Sequence, residues 1–402
     1  MTKFLLTALL LSFCALNASA QPTKPSQDSL ASLISGEFRL RYEGVEQGAL
    51  AKAEGLTLGS NVSIRLPEKK GFSGLFEIED TEIIGGLDHF AVPAAGANLG
   101  VYPTINDPHV NEVNQAYIDY ETGVFTTRVG RQRIRLDNQR FIGSASWRQD
   151  ELTFDGIKLG FTPTSVDELS VYAINKRNRG AGRMADVDSH DLLVNLSHRF
   201  AGSKLTGYYY QLKPDAAGAA PMQNLFSTGI QFTGQTRWQN MEVDYLLEGA
   251  KQEERRAATT HSASYAQAWA GVHSDSSVAR VGYERMGSDN GEFAPTFPAG
   301  AHHLVNGYAD KFLTTPREGL VDKYVLLTTS LWGAELGLDY HDFDTAFARD
   351  GNSSIGSELD AHVSVQLSKR YQLGLKLADF HSDNLSNFDD TNKSWLWVTA
   401  SF

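Results

Sequence analysis

Leu359-Asp360-Ala361-His362-Val363-Ser364-Val365-Gln366-Leu367-Ser368 decides the fold. Each odd-numbered residue in it is apolar and each even-numbered one is polar or charged. A period of two belongs to an extended strand, whose successive side chains leave opposite faces, whereas a helix repeats every three to four residues. One face is wholly apolar and the other carries Asp360 and His362, so the strand divides an apolar phase from a wet one.

The same grammar extends in both directions. Ala334, Leu336, Leu338 and Tyr340 oppose Glu335, Gly337, Asp339 and His341; Leu56, Leu58, Val62, Ile64 and Leu66 oppose Thr57, Gly59, Asn61, Ser63 and Arg65. Eighteen such cores run from 36–43 to 393–402, with sixteen the nearest alternative count. They are long enough to cross a hydrocarbon layer when tilted, which takes about 9–11 residues. Short connections (Glu121-Thr122-Gly123, Ala201-Gly202, Lys369-Arg370) alternate with long ones (81–112, 133–150, 287–322). Tyr42, Phe72, Tyr120, Phe125, Phe161, Phe200, Tyr340 and Tyr371 gather near strand ends, where an interfacial girdle would lie. The last strand alternates through Leu396, Val398 and Ala400 to a terminal Phe402. The expectation is all-β: one antiparallel transmembrane β-barrel over 35–402, with long outer loops and short periplasmic turns. Closure leaves no unpaired strand edge in lipid.

Composition agrees by exclusion. The 402 residues contain no apolar run of the ~18 residues that a helical span needs. One Cys rules out a disulfide scaffold. With 36 Lys+Arg against 48 Asp+Glu the net charge is -12, which argues against nucleic acid as a partner. Residues 1–20 read as a cleavable signal peptide: Lys3, the apolar run Phe4 to Leu16, then Ala18-Ser19-Ala20 before Gln21. Lipid attachment at Cys14 is disfavoured by the bulky Phe13 before it. Residues 21–34 form a polar periplasmic lead-in.

Positive charge is concentrated. Arg128, Arg131, Arg133, Arg135, Arg140 and Arg148 crowd one stretch, followed by Lys158, Lys176, Arg177, Arg179 and Arg183. Arg131, Arg133 and Arg135 share one parity and would project from one face of an extended segment. Lining a lumen, guanidinium groups would offer bidentate contacts to carboxylates, as anion-selective pores do. The alternative is that they brace the wall against lumen acids such as Glu37, Glu77, Glu79, Asp119, Glu242 and Asp244. Spacing leaves both readings open.

Two blocks carry a family likeness. Gly130-Arg131-Gln132, Asp137-Asn138-Gln139-Arg140-Phe141-Ile142-Gly143, Trp147-Arg148 and Phe154-Asp155-Gly156 resemble the core motif of the bacterial alginate-export family of outer-membrane proteins. His303-Leu304-Val305-Asn306-Gly307-Tyr308-Ala309-Asp310-Lys311-Phe312 through Pro316, then Gly319-Leu320-Val321-Asp322, resembles its second block. The resemblance implies an eighteen-stranded barrel whose Arg-lined lumen passes a polyuronate. Arg128, Arg131, Arg133, Arg140 and Arg148 would then line the pore, and Asp310-Lys311-Phe312 would belong to a plug or lid.

The expected activity is an outer-membrane channel, without chemistry, for an anionic polysaccharide or related acidic solute. The alternative is an uptake porin for small solutes, and a third class is an outer-membrane enzyme or adhesin. No nucleophile elbow accompanies His302, His303 and Asn306, or His341. No cofactor is expected; Ca²⁺ at acidic outer loops such as Asp289-Asn290-Gly291-Glu292 or Asp342-Phe343-Asp344 is the weaker alternative to a solvated turn. Outer-membrane lipid, lipopolysaccharide, the barrel assembly machinery and a periplasmic scaffold complete the expected partners of a monomer.

Overall fold

A computed structural model describes residues 33–402 except 216–223, 240, 257, 349–350 and 384–386. The expected signal peptide with Cys14, nearly all of the lead-in and the Gly-rich 216–222 loop lie outside the described residues. The alternating runs pair, neighbour to neighbour, into one antiparallel sheet that closes on itself. Its strands are β1 (Ile34–Gln47), β2 (Ala53–Lys69), β3 (Phe72–His89), β4 (Val110–Thr122), β5 (Phe125–Gln132) and β6 (Thr153–Phe161). They continue with β7 (Asp167–Asn178), β8 (Val187–Phe200), β9 (Ser203–Leu212), β10 (Asn224–Trp238), β11 (Met241–Arg255) and β12 (Thr260–His273). The circuit ends with β13 (Ser277–Met286), β14 (Leu320–Leu331), β15 (Ala334–Asp344), β16 (Ser354–Gln366), β17 (Tyr371–Ser382) and β18 (Thr391–Ser401). The seam joins β1 to β18 from Glu37↔Ser401 to Gln47↔Thr391. Gly36 and Phe402 exchange backbone hydrogen bonds of 3.2 and 3.0 Å there, and the Phe402 ring stacks on Phe38 at 5.9 Å.

Side-chain parity separates the two phases as the alternation requires. Leu373, Leu375 and Leu377 on β17 and Leu396 and Val398 on β18 are exposed outward, while Trp395 and Trp397 between them are buried inward. At the short-turn end Phe72–Tyr120 (4.6 Å), Phe125–Phe161 (5.0 Å) and Phe200–Phe232 (6.0 Å) pair across strands into an aromatic band. Some strands outrun their hydropathy pattern. β3 continues to His89, although its apolar alternation stops near 80, because a strand beyond the bilayer keeps its ladder while its outer face turns polar (Asp80, Glu82).

Segments 133–152 and 287–319 leave the outer rim, turn into the barrel and join. Gly143 N–H donates to the Ala299 carbonyl (2.8 Å), Ala301 N–H to the Gln139 carbonyl (3.0 Å), and Ile142 bridges Ala299. A side chain on Gly300 would sit 2.2 Å from the Arg140 carbonyl oxygen, so the two segments touch backbone to backbone. Ile134, Phe141 and Ile142 from one, and Phe293, Phe297 and Phe312 from the other, pack with inward wall residues such as Tyr208, Tyr210 and Tyr265 in one apolar cluster. Phe141 meets Phe297 edge-on at 4.9 Å.

Candidate functional site: the plugged lumen

β5 and β6 are the shortest of the strands at 8 and 9 residues, because the chain leaves the wall after Gln132 and re-enters it at Thr153. This exit corrects the sequence expectation for the basic run. Arg131 shares its face with the exposed Val129, and its partner Asp155 shares its face with the exposed Ile157. Both therefore point out of the barrel, joined by Arg131 Nε–Oδ1 (2.7 Å) and Nη2–Oδ2 (3.1 Å) bonds. Arg133 and Arg135 lie past the strand end and point inward. The shared parity breaks because the extended segment ends between the first arginine and the second.

Inside, most of the basic candidates are paired. Arg128 grips Asp119 through Nε (2.6 Å) and Nη2 (2.8 Å), with its guanidinium 3.7 Å from the Tyr117 ring centroid. Arg133 bonds Glu151 and, at 2.8 Å, Glu77, which also accepts from Ser63, Asn114 and Gln115. Arg135 donates to Ser144 Oγ at 2.7 Å, and its charge lies 3.9 Å from Glu151. Arg140 is buried between the plug segments on Glu284 (2.8 Å) and Asn306 (2.7 Å). Glu79 is buried and accepts the Glu151 N–H, whereas Glu37 is exposed at the short-turn end of β1. Among the described residues Lys158 alone of the seven basic candidates has no carboxylate within ion-pair distance; it faces Arg128 across β5–β6 and lies 5.7 Å from the Tyr172 ring.

The densest network pins the plug to the seam. Arg148 donates to Asp310 (2.8 Å) and Glu43 (3.2 Å) and lies 3.8 Å from Asp107, and Arg41 bonds both Asp107 and the Trp147 carbonyl. Asp310 also accepts from Lys393 (3.0 Å) and His303 (2.9 Å). Burial alone would raise the Asp310 carboxyl, but Lys393, His303 and Arg148 hold it well below the usual carboxylate range. His303 is buried and pushed down to about 3 despite Asp310 beside it, so it is neutral: Nδ1–H donates to Asp310 and Nε2 accepts from Lys376 Nζ (3.1 Å). The Lys376 ammonium lies between the Trp147 and Tyr308 rings at 3.8 and 3.9 Å. Trp147 stacks on His303 (4.6 Å) and meets Trp395 and Trp397 edge-on. Lys311 donates to Asp389 O and Thr391 Oγ1, and Phe312 packs on Phe343, Phe380 and Phe388. Asp310, Lys311 and Phe312 thus all tie segment 287–319 to the wall.

A sequence profile of the family described as "Alginate export" matches residues 76–284, just over half of the chain. The chain belongs to the alginate export family. Its barrel is that of outer-membrane porins. Pseudomonas aeruginosa OccK9 (OpdG) superposes with a TM-score of 0.71 at 12% identity, covering 92% of this chain and 97% of that one. P. aeruginosa OpdK, solved with vanillate, gives 0.69 at 11% over 92% and 98%, and Acinetobacter baumannii OccAB3 gives 0.68 at 12% over 92% and 99%. At these identities the likeness is one of fold. No curated protein matches the sequence. Family and fold together make this an outer-membrane channel, and they are those of channels rather than of enzymes.

In this alginate export family member the motif strings are largely structural. Gly130-Arg131-Gln132 and Phe154-Asp155-Gly156 lie in register on β5 and β6, and Trp147-Arg148 is the hub of the latch. Two other sequence-stretch candidates are also engaged: Asp342 and Asp344 share Lys323 (3.0 and 2.7 Å), and Asp289 meets His261 at 3.0 Å. Sequence reasoning passed over Arg39, Arg41, Glu43, Asp107 and Lys376, and named Trp147 and His303 without their part in the latch. For β1 a signal was present, since Arg39, Arg41 and Glu43 alternate with Phe38, Leu40 and Tyr42. For Asp107, 66 residues from Arg41, there was none.

Proposed function

We propose that this channel passes small acidic solutes, selecting them by a few unneutralised cations rather than by a continuous arginine ladder. The observation that carries this reading is the pairing of Arg128, Arg133, Arg140 and Arg148 with acids of the wall and plug. Among the described cations of the wall and plug that have no carboxylate partner are Lys158, Lys376 between its two rings, Lys311, and Arg39, which donates to Gln149 and to the Ser146 and Arg148 carbonyls. Isolated cations suit a solute with one or two carboxylates, which binds in place of its hydration and leaves again. The plug, packed as one apolar cluster, favours a narrow solute over a polymer. OpdK, similar in fold, was solved with vanillate, a small aromatic acid.

A second reading has its own support. Family membership favours passage of a polyuronate, with the plug displaced when the polymer engages. Planar-bilayer recordings separate the two. Anion-selective steps blocked by millimolar monocarboxylates, and indifferent to polyuronate oligomers, support the small-solute channel. Block by the oligomers at lower concentration than by the monomers refutes it in favour of the polymer route.

A further inference from the structure

Asp310 fills a socket built for a carboxylate. Arg148, Lys393 and His303 reach it at 2.8, 3.0 and 2.9 Å. The His303 ring beside it lies parallel to Trp147, at 4.6 Å and 6°, and meets Trp395 at 5.5 Å and 73°. Lys376 Nζ adds a third cation, 3.1 Å from His303 Nε2. Together these two side chains reproduce a flat ring with a carboxylate at its rim, stacked on an indole and gripped by a guanidinium and an ammonium. Both come from segment 287–319. The socket comes from other elements: Trp147 and Arg148 from segment 133–152, Lys376 from β17, Lys393 and Trp395 from β18.

The segment that carries them is held by its contacts rather than by its backbone preference. Asn306, Gly307 and Asp310 have φ of +57, +80 and +56, so two residues with a Cβ are left-handed within five positions. We propose that His303 and Asp310 are the built-in occupants of a binding site for a ring-bearing monocarboxylate, which stacks on Trp147, takes the Arg148 and Lys393 donors from Asp310, and so releases segment 303–310. This rests on the reading of the channel as one for small acidic solutes, and it names their chemical class. The exchange leaves the charge count unchanged, because one carboxylate departs as another arrives. The neighbouring acids do not take its place. Arg148 meets Glu43 through Nη1 and Asp310 through Nη2, and Asp107 is engaged by Arg41. Asp360, Glu358 and Asp339 bond instead to the Tyr308 N–H (2.9 Å), the Ala309 N–H (2.6 Å) and the Tyr308 hydroxyl (2.9 Å). A ligand moves the segment only as far as it binds the released state better than the closed one, and the vacated socket supplies that difference.

The test reads amide exchange across 303–312 in the detergent-solubilised full chain. The probe is sodium benzoate, and benzamide, the same ring without the charge, is the control. In the wild type benzoate competes with the segment and speeds exchange. In the double variant His303→Gly, Asp310→Ala it fills the vacated socket and slows exchange, about tenfold at about ten times its dissociation constant. Benzamide does neither. Benzoate acting with one sign in both proteins or in neither, or benzamide acting as well as benzoate, overturns the proposal. Should the double variant give no folded, heat-modifiable band, Asp310→Ala with acetate decides: recovery of slow exchange supports the socket, and no recovery overturns it. Bilayer recordings in benzoate judge the channel separately. Opposite signs without benzoate current or block keep the site and refute the small-solute channel; benzoate block without opposite signs keeps the channel and refutes the site.

Discussion

Arg148 is where a pore-lining cation and a structural brace make opposite predictions. Replacing it with Gln removes the bonds to Asp310 (2.8 Å) and Glu43 (3.2 Å) and a third carboxylate, Asp107, at 3.8 Å. Breaking a buried pair by deleting one partner costs about 3–5 kcal/mol, because the other charge is left without compensation. Here the lower end applies. Asp310 keeps Lys393 and His303, Asp107 keeps Arg41, and Glu43 alone is stranded, 3.9 Å from Arg41. About 3 kcal/mol corresponds to an increase on the order of 100-fold in local opening. The readout is amide hydrogen exchange across 133–152 in detergent-solubilised protein, with reversal potential in a salt gradient measured alongside. Asp310→Asn should accelerate exchange comparably, and the double variant should fall short of the sum by about 1.5 kcal/mol, since the two groups share one contact. If exchange in Arg148→Gln is unchanged while anion preference drops, Arg148 is a permeation site and the brace assignment fails.

Lys158→Glu should shift the reversal potential toward cations, whereas Arg131→Gln should leave it unmoved because that side chain faces the bilayer; equal shifts would contradict the parity read from Val129 and Ile157. Acid should loosen the plug. Burial holds His303 at about 3 and His302 at about 4, so both are neutral when folded; the contribution is complete above about pH 6.5 and falls by about 1.4 kcal/mol per pH unit for each ring as pH drops toward those values. Asp150, pushed up to about 7 by burial and Glu112, works in the opposite sense and offsets part of it. Exchange in 287–319 should therefore rise between pH 6 and 4, and His303→Gln should flatten the profile; no change over that range counts against a buried neutral His303. Gly130→Ala strains φ of +129 and drives a methyl to 2.1 Å from the Ala116 oxygen, so the folded, heat-modifiable band on gels should be largely lost, at a cost above about 3 kcal/mol; a full yield would show that the kink is dispensable.

The period of two in stretches such as 359–368 determined the barrel unaided, because each strand lies between lipid and lumen and its neighbours need only continue the pattern. The seam at Phe402 and the girdle at Phe72, Phe125 and Phe200 were legible for the same reason: position along a strand sets depth. The paths of 133–152 and 287–319 were not. Their residues meet partners more than a hundred positions away, as Arg39 meets Gln149 and Arg140 meets Asn306, and no local pattern encodes such contacts. Whether an arginine lines the lumen or faces the bilayer turned on a single exit from the wall at Gln132. One residue of slip reverses every side chain beyond it, so only the assembled barrel decided that Arg131 points out and Arg133 points in.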